Sequence, residues 1–167
     1  MNRIIIAIAA ALCLLCSCDS VDNKVLPAYT VRLDLSTFAL WNTYGVNGVG
    51  DYRIFSREKR LPANFPYNAN TYTGFGGVLL VMGLDAVTAS YAPLAFDAAC
   101  PVERRADITL SIDPSTLDAV CPSCHSHYNV LTGSGGPISG TALTKKMGLT
   151  PYKCRQNANG GYTITSY

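Results

Sequence analysis

The sequence predicts an all-β fold, a small antiparallel barrel or sandwich, and three observations carry that expectation. Apolar residues alternate with polar ones over short windows, turn-forming residues interrupt the chain often, and no window shows a helical period with caps. Val31, Leu33 and Leu35 alternate with Arg32 and Asp34, which predicts a half-buried strand. Residues 41–73 are rich in Asn, Gly, Pro and Tyr and predict long loops with at most one short helix. Val78 to Met82 is a continuous apolar run between Gly76-Gly77 and Gly83, the pattern of a strand buried on both faces. Ile108, Leu110 and Ile112 alternate with Thr109 and Ser111. At the C-terminus, strands near 149–155 and 162–166 flank Asn157-Ala158-Asn159-Gly160-Gly161, a hairpin whose turn residues tolerate positive φ. No internal repeat is visible.

The N-terminus reads as a targeting signal. Arg3 precedes an uncharged apolar run, Ile4 to Leu15, which has the length of a signal h-region and is short for a membrane span. Leu15-Cys16-Ser17-Cys18 follows and resembles the bacterial lipobox, with a small residue before the cut and a cysteine after it. The expected division is a lipoprotein signal peptide at 1–17, a lipid anchor on Cys18 with a tether through residue 27, and one domain over 28–167. Two acyl chains give stable anchoring where one is marginal. The chain would then sit in the cell envelope, held to a membrane on its periplasmic or outer-surface side. A plain secretory signal with incidental cysteines is the alternative. With 13 basic and 11 acidic residues and no charge run, the composition argues against nucleic acid as a partner.

Of seven cysteines, Cys13 and Cys16 fall in the leader and Cys18 at the anchor, which leaves Cys100, Cys121, Cys124 and Cys154. In an exported protein four cysteines read first as two disulfides. A sharper pattern competes with that. Cys121-Pro122-Ser123-Cys124-His125-Ser126-His127-Tyr128-Asn129 contains both histidines of the chain, and soft thiolate and imidazole ligands at such spacing suit a transition metal.

The stretch from Phe75 to Val81, the stretch from Leu94 to Pro101, and the segment from Cys121 through the Gly-Pro-rich loop to Leu143 together resemble a Rieske domain. The resemblance spans roughly residues 74–166, and its specific part is Cys121, Pro122, Ser126, His127, Tyr128 and Asn129. It implies a small barrel carrying two metal-site loops, a two-iron, two-sulfur (2Fe-2S) cluster, and electron transfer to a redox partner protein. The chain departs from the family at the ligands. Val102 stands where the first loop has its histidine, Cys124 stands where the second has its own, and His125 replaces a glycine. The implied metal set is therefore Cys100, Cys121 and Cys124, completed by His125, with His127 as an additional candidate and Glu103 and Cys154 as further ones. Replacing imidazole by thiolate would move a cluster potential from the Rieske range of about −150 to +300 mV toward about −400 mV. A single zinc or iron ion on three cysteines and a histidine is equally compatible with the donor set.

Two other chemistries use the same residues. Cys121-Pro122-Ser123-Cys124-His125 is literally the c-type haem attachment pattern, with Met147 as a sixth-ligand candidate, but strand and turn residues follow it. Cys121 and Cys124 also form a C-x-x-C pair suited to a disulfide, with no βαβ pattern to make it a thioredoxin-like oxidoreductase. Because both histidines belong to the cysteine motif, no Ser-His-Asp arrangement can be argued, and an electron carrier or binding protein is expected rather than a substrate-converting enzyme. The competing expectation is a non-redox surface or assembly lipoprotein on a degenerate scaffold, with disulfides or a structural zinc, or with no cofactor. The ten tyrosines and Trp41 are expected to be packing and rim residues.

Overall fold

In the computed structural model, which describes residues 20–85 and 88–167, the alternation at Val31 becomes strand β1, Val31–Thr37. Val31, Leu33 and Leu35 are buried while Arg32 and Asp34 are exposed. Thr37 then starts a short helix, α1, Phe38–Tyr44, its hydroxyl oxygen accepting the Leu40 N–H at 3.2 Å. Two strands follow in the stretch expected to be loops, β2 (Tyr52–Phe55) and β3 (Tyr72–Thr73). Next come β4 (Val78–Asp85) and β5 (Ser90–Asp97), paired in unbroken register from Val78↔Asp97 to Asp85↔Ser90. Four short strands are β6 (Ser111–Ile112), β7 (Ala119–Val120), β8 (His127–Tyr128) and β9 (Pro137–Ser139). A five-residue helix, α2 (Thr141–Lys145), precedes β10 (Pro151–Gln156) and β11 (Gly160–Thr165). Among the described residues no helix is long and apolar enough to cross a membrane. The expected signal peptide and Cys18 lie outside the described residues.

Seven strands form one antiparallel sheet in the order β2-β4-β5-β10-β11-β1-β3. Its two edges nearly meet: the backbone N–H of Arg57, just past β2, donates to Thr73 Oγ1 of β3, and its guanidinium donates to Thr71 O at 3.2 Å. The result is an all-β, nearly closed barrel. The remaining strands form a second antiparallel sheet in the order β6-β7-β8-β9.

Strand β4 explains how the two sheets share a core. Val78 and Leu80 face the barrel interior with Leu33, Leu35, Phe55, Ala95 and Ile164. Leu79 and Val81 face the second sheet with Phe96, Leu110, Tyr128 and Val130. A strand buried on both faces has no polar face to alternate with, hence its continuous apolar run. Trp41 packs inside on Tyr162, with ring centroids 4.5 Å apart. The expected strand at 108–112 forms a ladder only over 111–112, with Thr109 bridged to Ala99. The segment expected to be a tether docks in part. Asp22 donates to Lys146 O at 2.8 Å and accepts from Gly148 N–H at 2.9 Å, and Leu26 is buried.

Candidate metal centre

Two loops meet over the second sheet, and each is fixed by a buried polar side chain. The first leaves β5 at Asp97. Its carboxylate accepts the N–H groups of Phe75 (3.1 Å), Gly76 (3.0 Å) and Ala99 (2.8 Å) and the Tyr152 hydroxyl (2.6 Å). Burial pushes the Asp97 carboxyl above its ordinary range, and these donors pull against that rise. Gly76 is required for the close approach, since a Cβ there would lie 2.4 Å from that of Ala99. Asp97 thus ties the β3–β4 turn and β10 to the residue that precedes Cys100.

The second loop is the six-residue turn, residues 121–126, between β7 and β8. Cys121 N–H donates to Ser126 O at 3.1 Å and His125 N–H donates back to Cys121 O at 3.0 Å. His125 takes the left-handed conformation, φ 53°. Ser126 is wholly buried, and its Oγ accepts the Ala142 N–H at 3.1 Å, which docks α2 on the loop. Gly140, at φ 75°, lies against Ser126, where a Cβ would come within 2.9 Å of the Ser126 Cα.

The Sγ atoms of Cys100, Cys121 and Cys124 lie within 4.8 Å of one another, a group that could hold a metal ion. The Sγ atoms of Cys100 and Cys124 are 3.6 Å apart. Cys100 and Cys121 are buried and Cys124 is half-buried. The Tyr128 hydroxyl contacts Cys100 Sγ at 3.3 Å, and Ser126 Oγ lies 3.3 Å from Cys124 Sγ. Burial pushes the Cys121 thiol up to about 12, against N–H groups of Cys124 and Ser123 aimed at its sulfur. Burial acts in the same direction on Cys124, yet hydrogen bonds from Ser126 and the neighbouring thiols outweigh it and hold that thiol below its ordinary value. The Tyr128 hydroxyl is held well above its ordinary range by burial first and then by its bond to Cys100. Within one turn, then, the Cys124 thiol is held below its ordinary value and the Cys121 thiol above it.

Of the residues expected as ligands, the structure unites Cys100, Cys121 and Cys124. Among the described residues no histidine, carboxylate or further cysteine joins them within that distance. His125 is exposed on its left-handed turn. His127 leaves β8 next to the buried Tyr128, and its Nδ1 lies 3.5 Å from Asp118 Oδ2. Cys154 packs with the barrel interior, where burial raises its thiol to about 12. Met147 bridges to Asp22. The C-x-x-C-H pattern lies on a hairpin turn, with Cys121 buried in the core. Sequence reasoning gave no role to Asp97, although a lone acid inside the apolar run 94–99 was a legible sign of a buried, bonded carboxylate. Neither a family model, nor a curated protein, nor a solved structure matches the chain.

Proposed function

We propose that this chain is an exported, lipid-anchored metal-binding protein whose Cys100, Cys121 and Cys124 hold a single tetrahedral ion of the zinc or iron class. The spacing of the sulfurs carries the reading. At a metal–sulfur distance of about 2.3 Å, the edge of a tetrahedron is about 3.8 Å, and the 3.6 Å between Cys100 and Cys124 fits such an edge. Three sulfurs within 4.8 Å of one another suit one ion better than two bridged irons, which spread their thiolates over two centres. Soft thiolates favour zinc, iron or copper(I) over magnesium or calcium. Ser126 and Tyr128 belong to the segment that resembles the second Rieske loop, and theirs are the hydroxyls that touch the sulfurs. That coincidence supports a Rieske-like origin for the site. With iron, such a centre carries one electron at a time to a partner protein; with zinc, it staples the two loops of a non-redox envelope protein.

A second reading draws on the same 3.6 Å pair. In an oxidising compartment Cys100 and Cys124 need only a short approach to close as a disulfide. Native mass spectrometry and elemental analysis of anaerobically purified protein separate these. The metal reading expects one zinc or iron per chain, lost when Cys121 is changed to Ser. Metal-free protein lacking two titratable thiols would replace it with the disulfide, and two irons with acid-labile sulfide would replace it with the cluster.

A further inference from the structure

The two loops are copies of one backbone turn. In the first, the N–H of Arg104 donates to the carbonyl of Cys100 at 2.9 Å; in the second, the N–H of His125 donates to the carbonyl of Cys121 at 3.0 Å. The residue closing each turn is left-handed, Arg104 at φ 55° and His125 at φ 53°, although neither is glycine. Both turns begin Cys-Pro, and burial matches at the first, fourth and fifth positions, although Pro101 is buried where Pro122 is exposed. Cys100 and Cys121 are buried, Glu103 and Cys124 half-buried, Arg104 and His125 exposed.

The equivalence pairs Cys100 with Cys121 and Glu103 with Cys124. We infer that Glu103 is the fourth ligand of the metal ion, its carboxylate occupying the corner that Cys124 occupies for the other loop. The inference rests on the single-ion reading above. His125 takes the place of Arg104, a position that both turns direct outward, and His127 is engaged with Asp118. Glu103, by contrast, makes no hydrogen bond or salt bridge among the described residues. Arg105, whose charge it feels, is bonded instead to Asp107. A glutamate is longer than a cysteine, so it can span from its loop to an ion that its carboxylate does not yet approach. Three thiolates and one carboxylate would give a divalent ion a full tetrahedral shell, closed to a substrate or water.

Cobalt(II) titration of the reduced chain against a competing chelator tests this, because the charge-transfer bands count thiolates and the d–d bands report the fourth donor. The wild type is expected to bind one tetrahedral cobalt. Glu103→Gln should weaken binding at least about tenfold, the smallest loss typical even of an outer partner of a metal ligand. Glu103→Cys should add a fourth thiolate, raising charge-transfer intensity by about a third and shifting the d–d bands to the red. Unchanged affinity and spectra in both variants, with weakened binding in His125→Ala, would overturn Glu103 as ligand and leave the single-ion site standing. A wild type that takes up no cobalt removes the single-ion reading, and Glu103's role with it.

Discussion

Ser126 Oγ accepts the Ala142 N–H and the Cys124 thiol; once that thiol ionises the hydroxyl can turn its own proton to the sulfur, and this one side chain separates the behaviour of two thiols in the same turn. Cys124 is held below its ordinary pKa and Cys121 is raised to about 12, so of these two thiols Cys124 ionises the more readily in metal-free protein. Timed alkylation read by peptide mass spectrometry should label Cys124 first, Cys121 far more slowly, and Cys154 only on unfolding. Equal rates at 121 and 124 would contradict the assigned hydrogen bonds. Ser126→Ala should slow Cys124 alkylation and weaken metal binding by about tenfold, as loss of a partner that orients a ligand does. Cys154 gives a stability prediction of definite sign. Its folded pKa, about 12, lies above its ordinary 9.0, so above pH 9 the unfolded chain releases a proton that the folded chain keeps. Stability contributed by this thiol is intact below pH 9 and is lost as pH rises toward 12, at a slope of up to about 1.4 kcal/mol per pH unit. Urea unfolding across this range should show a shallower alkaline loss in Cys154→Ala.

At the scale of elements, the turns matter more than the strands. Asp97 joins the β3–β4 turn, the end of β5 and β10 through four donors, so Asp97→Ala leaves three N–H groups, two of them buried, and a tyrosine hydroxyl without their partner. The expected cost is about 3 kcal/mol or more in chemical denaturation. Because the same carboxylate sets the residue before Cys100, metal affinity should fall with it. Gly140→Ala meets both a positive φ and the Ser126 backbone, and should cost about 1–3 kcal/mol while loosening α2 from the second loop. The sequence made strands β1, β4, β10 and β11 legible because each carries a strict alternation, a bounded apolar run or a turn rich in glycine and asparagine. It did not reveal β2, a four-residue edge strand with one buried residue, and it allowed one short helix within 41–73 without locating α1, whose single capping threonine follows directly on a strand. Elements of this length have too few residues to express a period. The grouping of Cys100 with Cys121 and Cys124 was legible through the resemblance to a Rieske domain, whereas the matching geometry of the two turns was not. It depends on left-handed backbone at Arg104 and His125, residue types that do not announce it.

For the molecule as a whole, the β4–β5 hairpin is the wall between the barrel interior and the second sheet. Leu80→Ala and Leu79→Ala remove buried side chains on opposite faces of one strand, and each should cost about 2–5 kcal/mol. Their consequences differ. Leu79 shares its cluster with Cys100 and Cys121, so its loss should also weaken metal binding, and Leu80 should leave the affinity close to wild type. On the proposed reading an ion would link loops that leave β5 and β7 and stabilise the native state by mass action, so chelation should lower the melting temperature. The most direct test of a single sulfur-rich ion is X-ray absorption at the metal edge of the protein as purified. A single ion at this site gives three sulfur scatterers at about 2.3 Å with one lighter atom and no second metal. A metal–metal scatterer would contradict it, as would a shell built mainly of nitrogen and oxygen.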